Sequence, residues 1–384
     1  MQIKVLHIIN GYVSSKLYRA FVLQLSKTVN HQSVFVPIRN VNQKGINDIE
    51  SSKIKIHYSL IITSIIYRIF FFLKISKTVQ SIKNEIDVEA FDIIHAHTLF
   101  SDGAAAYELN RINGTPYIVT LRNTDLNEFF KYLFFLRPLG LKILLAADRI
   151  VFLSEAYKQR LLNDYIHKNL HEELISKSIV LPNGIDDFWL DNLYANSNKL
   201  GNTIKLLFTG EIRKNKNIIG VIEAISKIIN YNIEYLIVGE GLNDEKSYLS
   251  LLKEKIKDNS MVSIKKVVGK DELLNYYRES DIFIMPSFTE TFGLVYAEAL
   301  SQGLPVIYTN SEGFDKVFDE GFIGHSVDAT NVDDIALAII KVIENYSQIQ
   351  KNCSNSAKKF SWEAIAEVYL RNYSEIINKT NNAD

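Results

Sequence analysis

Short apolar runs alternate with longer segments of helical periodicity along the whole chain. Ile3–Ile9 reads as a buried strand, followed by a turn at Gly11 and a helix around Tyr18–Thr28. Ser33–Ile38, Phe91–His95, Thr115–Leu121 and Arg149–Leu153 repeat the strand pattern, with helical patterns between several of them. This βαβ rhythm predicts a parallel sheet covered by helices. Ile179–Leu181 then runs into the turn signal Pro182-Asn183-Gly184, and the polar stretch Asp191–Asn202 has the composition of a linker. Beyond it the rhythm restarts. Ile204–Phe208, Tyr235–Val238, Val262–Lys266, Ile282–Met285 and Pro305–Tyr308 read as strands. Asn217–Ile229, Lys246–Lys257, Asp271–Glu279 and Val295–Ser301 read as the helices between them. The expectation is an α/β chain of two Rossmann-like parallel-sheet domains, residues 1–190 and 191–363, facing a central cleft. Ligands of such sheets bind beyond the carboxyl ends of the strands.

Composition narrows the class. The 384 residues are 47% apolar and 23% charged, with 43 Lys+Arg against 44 Asp+Glu and a net charge of −1. That is globular, and the near-neutral total argues against a nucleic-acid binder working by bulk positive charge. The single cysteine, Cys353, excludes an intrachain disulfide or a cysteine-based zinc site and fits a reducing cytoplasm. Met1–Leu6 reads as strand, so no secretory signal is expected, and no apolar run reaches the ~18 residues needed to span a bilayer. The total hides a split: residues 1–190 carry a net +5 and the remainder a net −6. Halves of opposite sign suit different partners.

The most informative segment is Pro286–Leu300. A strand ends at Met285, a loop holds Glu290, and a helix begins near Gly293 with Glu298 inside it. The amides near Phe292, Gly293 and Leu294 would be unpaired donors at a helix N-terminus, an anion site suited to a diphosphate. Glu290 would face the cleft and accept hydrogen bonds from sugar hydroxyls; the plainer alternative is a carboxylate held by the helix dipole.

Glu290 and Glu298, with seven residues between them that include Phe292-Gly293-Leu294, resemble the paired-glutamate element of the GT4 glycosyltransferases. Ala299–Val306 resembles the stretch that follows in that family, and further similar segments are Asp92–His97, Thr120–Asp125, Asp148–Glu155, Pro182–Asp186, Val238–Gly241, Asp281–Ser287 and Phe360–Glu363. The resemblance covers nearly all of the chain in order. It implies the GT-B fold: an N-terminal acceptor domain, a C-terminal nucleotide-sugar domain, and a last helix, about residues 364–384, that returns to the first domain. It also implies transfer of sugar from a nucleotide donor with retention of configuration and without a metal ion or other cofactor.

By that resemblance Glu290 lies near the donor sugar and Glu298 binds the ribose hydroxyls. The Phe292–Leu294 amides and Lys216 neutralise the diphosphate leaving group, a role that fits charge developing on a departing phosphate. Gly11, Gly210 and Val268 join them on the donor's side. One departure stands out. The family's arginine after the first strand of the second domain is replaced by Glu211, and Arg213, two residues on, is the candidate to supply that guanidinium beside Lys216. His97 matches the family's cleft histidine and is expected to bind near the reacting sugar or diphosphate, while His95, two residues earlier, is read as structural. Arg122 stands where a histidine is common and is expected to shape the acceptor side.

Tyr58–Leu73 and Phe129–Leu145 are unusually apolar, with aromatics beside Arg68, Lys131, Arg137 and Lys142. They read either as buried helices or as an interfacial surface that meets an anionic membrane. The expected activity is therefore transfer from a nucleotide sugar, UDP by family habit, to a glycan acceptor, lipid-linked in bacterial surface-polysaccharide synthesis. The alternatives are a GT-B nucleotide-sugar epimerase or a catalytically silent sugar-nucleotide-binding protein. A nicotinamide dehydrogenase is disfavoured, because Asn10–Ser15 lacks the G-x-G-x-x-G turn.

Overall fold

The computed structural model describes residues 3–61, 63, 70–195, 199–241, 246–257 and 259–382. The chain divides into two compact units. The first takes residues up to Leu153, Tyr157–Gly184 and the C-terminal stretch from Trp362. The second takes Ser154–Ala156 and Ile185–Ser361.

The first unit is built on seven strands: β1 (Lys4–Ile8), β2 (His31–Ile38), β3 (Ile54–Leu60), β4 (Ile93–Ala96), β5 (Tyr117–Thr120), β6 (Arg149–Phe152) and β7 (Ser178–Val180). They lie in the order β3-β2-β1-β4-β5-β6-β7, and every pairing is parallel. The central strands are buried end to end, as continuous apolar runs in a helix-covered sheet require. Helix Trp362–Asn381 belongs to this unit; Trp362, Ile365, Tyr369 and Tyr373 join Val5, Phe21 and Val34 in one core. Its first residue packs so closely on Gly184 that a Cβ there would lie 2.4 Å from the indole.

The second unit carries β8 (Thr203–Thr209), β9 (Asn232–Val238), β10 (Val262–Lys265), β11 (Ile282–Ile284), β12 (Val306–Thr309) and β13 (Gly324–Val327). Their order is β10-β9-β8-β11-β12-β13, again all parallel. Helices Ile218–Ser226, Lys246–Ile256, Lys270–Glu279, Leu294–Ser301 and Val332–Glu344 fall after β8, β9, β10, β11 and β13.

Three expectations are adjusted. β3 and β13 were not anticipated; both are edge strands, and polar residues in Ile54–Leu60 and Gly324–Val327 break the apolar run that marks a central strand. Residues 185–190, assigned from the sequence to the first domain, lie in the second unit, because Ile185 and Trp189 are buried in its core. The stretch Tyr58–Leu73 is no single helix: it ends β3 and starts helix Phe71–Glu85. Of its residues, Ile62, Ser64, Ile65, Ile66, Tyr67, Arg68 and Ile69 lie outside the described residues, as do 196–198 of the linker. Among the described residues no helix is long and apolar enough to cross a membrane.

Candidate active site

In the second sheet the strand order reverses between β8 and β11, so the loops leaving their carboxyl ends diverge and open a crevice. Gly210 closes β8 with φ +139°, and its carbonyl lies where a Cβ on Gly239 would fall, 1.9 Å away; this close approach needs glycine at both positions. Asn215 then ties the two loops together. Its side-chain amide donates to the Thr289 carbonyl at 2.8 Å, its Oδ1 accepts from the Thr289 amide at 3.1 Å, and its carbonyl accepts from the Phe288 amide at 2.8 Å.

The next residue on each loop is a predicted site residue. Lys216 Nζ sits 2.7 Å from Glu290 Oε2, with both side chains largely covered. The other Glu290 oxygen accepts from the Thr291 amide at 3.0 Å. Glu290 is also fixed through its backbone: its amide donates to Glu312 Oε2 and its carbonyl accepts from the Gly313 amide, each at 2.8 Å. A Cβ on Gly313 would fall 2.3 Å from the Thr291 carbonyl carbon, so the loop rests directly on that glycine.

Gly293, at φ +80°, turns the chain into helix Leu294–Ser301. Among the described residues nothing accepts a hydrogen bond from the amides of Phe292, Gly293 and Leu294, leaving donors at the positive end of a helix. On the same helix, Glu298 faces Tyr277 and Trp189. Tyr277 donates to Glu298 Oε2 at 3.4 Å and meets Thr209 Oγ1 at 2.9 Å, and the Trp189 side chain also bonds to Glu298. Burial pushes the Glu298 carboxyl up to about 7. Val268 is half-buried against the second core between β10 and helix Lys270–Glu279. Arg213 does not join Lys216 on Glu290: its Nη1 lies 3.2 Å from Glu211, the residue that replaces the family arginine.

The first sheet reverses between β1 and β4. Gly11 follows β1, and a Cβ there would meet the Tyr18 ring at 3.0 Å. The strand register sets His7 opposite His95. His7 Nδ1 lies 3.1 Å from His97 Nε2, and His7 Nε2 lies 3.0 Å from Gln32 Oε1. His95 bridges Tyr373 of the C-terminal helix at 2.7 Å and Thr120 at 3.0 Å. His97, expected to face ligand, is only 2% exposed. Burial drives all three imidazoles toward the neutral form, His7 to about 3 and His95 and His97 well below their usual range. Arg122 covers the cluster, donating to the His97 carbonyl at 3.1 Å and to Asn183 at 2.9 Å, with its guanidinium over the Tyr18 ring.

The three histidines are the one group among the described residues whose ligand atoms gather as a metal site's would, within 4.8 Å of one another. Their arrangement does not suit a shared ion: the His95 and His97 rings stack at 3.9 Å, so their in-plane lone pairs run side by side instead of converging.

Sequence reading missed Asn215, Glu312 and Gly313, which hold Glu290, and Tyr277 and Trp189, which hold Glu298. Glu312 and Gly313 follow β12 in a turn that carried no chemical motif, and only the fold brings them to Glu290.

Two parallel sheets with these switch-point loops define the GT-B class of nucleotide-dependent enzymes. Residues 191–360 match the glycosyl transferases group 1 and residues 52–187 match glycosyltransferase family 4. A capsular polysaccharide biosynthesis glycosyltransferase of Staphylococcus aureus is 30% identical over 66% of this chain and 69% of its own. Among solved structures, the sucrose-phosphate synthase of Thermosynechococcus elongatus superposes with a TM-score of 0.77 at 18% identity, covering 98% of this chain and 100% of that one. The Anabaena protein HepE, in complex with UDP, superposes with a TM-score of 0.69 at 15% identity over 98% and 100% of the two chains. The chain belongs to the GT4 family, group 1, of glycosyltransferases.

Proposed function

We propose that this glycosyltransferase moves a sugar from a UDP-sugar to a lipid-linked glycan at the cytoplasmic face of a bacterial membrane, in the synthesis of a surface polysaccharide. Transfer retains the anomeric configuration and uses no metal ion. The observation that carries the reading is the Lys216–Glu290 pair beside the unpaired Phe292–Leu294 amides. A donor diphosphate brings negative charge to that helix end. Lys216 and the amides stabilise the charge that grows on the leaving phosphate, work that a metal ion performs in other enzymes. Glu290 accepts from a hydroxyl of the transferred sugar, and Glu298 accepts from the ribose. The UDP complex of HepE supports uridine, and the capsular relative supports a polysaccharide product.

A thermal-shift series with UDP, GDP and ADP is expected to raise the melting temperature most with UDP, since a ligand that binds only the folded protein stabilises it. Proton NMR of the product from a UDP-sugar is expected to show the donor's own anomeric configuration, formed in the presence of EDTA and lost in Glu290→Ala. An inverted product, or turnover abolished by EDTA, would refute this mechanism.

A further inference from the structure

The first unit concentrates its exposed apolar side chains on one edge. Of the thirteen large hydrophobic residues exposed among the described residues of that unit, nine lie at or beyond the carboxyl ends of β2, β3 and β5. Phe70, Phe72 and Leu73 follow β3, exposed by 56%, 62% and 52%. Tyr132, Phe134 and Phe135 follow β5, exposed by 65%, 69% and 60%. The two groups are neighbours, because the Phe71 ring meets Phe129 edge-on with centroids 6.0 Å apart. Val41 and Ile46, after β2, extend the same edge beside exposed Arg39 and Lys44. Single exposed apolar residues are ordinary, but a collected set of aromatics is a binding surface.

Charge says what binds. From Ser51 to Asn84 and from Phe129 to Ala147 the sequence contains no aspartate or glutamate. Lys131 and Lys142 are exposed there, and Lys131 lies over the Tyr132 ring at 5.2 Å. Aromatic rings flanked by lysines, in segments free of acids, suit the interface of an anionic bilayer: the rings enter the headgroup layer and the ammonium groups meet lipid phosphates. A second copy of the chain is the poorer occupant, since two such patches would set like charges together. The patch also lies at the sheet edge from which Gly11 and Arg122 project, where an acceptor must arrive.

We propose that the exposed aromatics after β3 and β5 form a wedge that seats the first unit on an anionic lipid surface. The consequence for catalysis rests on the lipid-linked acceptor reading; the binding itself does not, and it is tested without donor or acceptor.

The full chain is sedimented with vesicles of phosphatidylcholine alone or with about one-third phosphatidylglycerol. Binding is expected to be at least tenfold tighter to the anionic vesicles and to weaken with salt. The triple variant Tyr132→Ser/Phe134→Ser/Phe135→Ser is expected to lose at least tenfold, with an unchanged melting temperature and an unchanged response to UDP. Lys131→Glu is expected to lose several-fold. No preference for anionic vesicles at low salt, or equal binding by the triple variant, would overturn the proposal. A dimer in sedimentation velocity that the triple variant dissociates would overturn it in favour of self-association. If vesicle binding holds while sugar transfer fails, the wedge stands and the proposed function falls.

Discussion

The two switch points of this chain share a fold and differ in what they do with it. Between β1 and β4 the strand ends are closed over a buried cluster of neutral histidines, each bonded within the protein, with Arg122 laid across them. Between β8 and β11 the strand ends hold a charged pair, a carboxyl displaced toward neutral pH, and three amides without acceptors among the described residues. A satisfied polar network rigidifies a fold, whereas unsatisfied donors aimed at one place are prepared for a ligand. The same kind of parallel sheet thus locks the C-terminal helix through Tyr373 in one unit and leaves helix-end donors open in the other.

The largest effect expected from this contrast is on turnover. On the proposed mechanism Lys216→Ala removes the cation from the leaving group and leaves Glu290 unpaired, so the rate should fall on the order of 10²–10³-fold. Glu290→Ala should do the same. Both side chains are largely covered, so each change should also lower the melting temperature by a few degrees, and rates are compared on fully folded protein. Single-turnover transfer from a UDP-sugar measures it. A His97→Phe variant with an equal loss of rate and full stability would break the comparison, since it would place the chemistry at the histidine cluster as well.

Much of the second site was legible because its chemistry is local. Glu290, Gly293 and Glu298 sit on one strand-loop-helix segment, where spacing alone fixes their relation to the helix N-terminus. Lys216 was readable only through the resemblance, as the residue at the family's lysine position after the first strand of the second domain. Their supports were not, because Asn215, Glu312, Tyr277 and Trp189 arrive from other elements. The burial of His97 was hidden for the same reason: it depends on His7, which the register of two strands distant in sequence brings alongside. Arg213 was read beside Lys216 with Glu211 in the family arginine's place; that Glu211 itself pairs with Arg213 was not legible from the spacing.

The next effect is on stability and belongs to the first unit. His95→Leu leaves the Tyr373 hydroxyl buried without its imidazole partner and removes one of the bonds to Thr120, which costs about 1–3 kcal/mol. The chain has two tryptophans, Trp189 in the second unit and Trp362 in the first, so versions of the chain that keep only one of them report each unit separately. Trp362 is expected to report the earlier unfolding, with Trp189 unchanged.

Acid should separate the units further. Burial holds His7 at about 3 in the folded chain, against the ordinary histidine value of 6.5, so its contribution is complete above pH 6.5 and is lost as pH falls toward 3. At pH 5 the loss is about 2 kcal/mol. Glu298 runs the other way: raised from 4.5 to about 7, it favours folding below pH 4.5 and loses that contribution as pH rises through 7. Asp102 and Asp125 in the first unit are also raised, to about 8 and about 6. They are common to wild type and a His7→Asn variant, so the difference between those two isolates the histidine. The variant should lose less stability than wild type between pH 7 and pH 5 in urea titrations read at Trp362, and Glu298→Gln should flatten the alkaline loss read at Trp189.

The smallest effect tests how the second site is held ready. Arg213 and Glu211 form a half-exposed pair, a geometry worth ~0.2–1 kcal/mol. If the guanidinium is a diphosphate ligand, it must leave Glu211 to bind, and that separation is charged against donor affinity. Glu211→Gln should therefore tighten UDP binding by roughly 1.5- to 5-fold, the same free energy expressed as a ratio. Arg213→Ala should weaken it by several-fold, and the double variant should behave as Arg213→Ala alone, because Glu211 acts only through the arginine. Calorimetric titration of UDP into the four proteins measures the cycle. Additive effects would show that Glu211 meets the nucleotide directly, and unchanged affinity in all three variants would leave the anion to Lys216 and the helix amides.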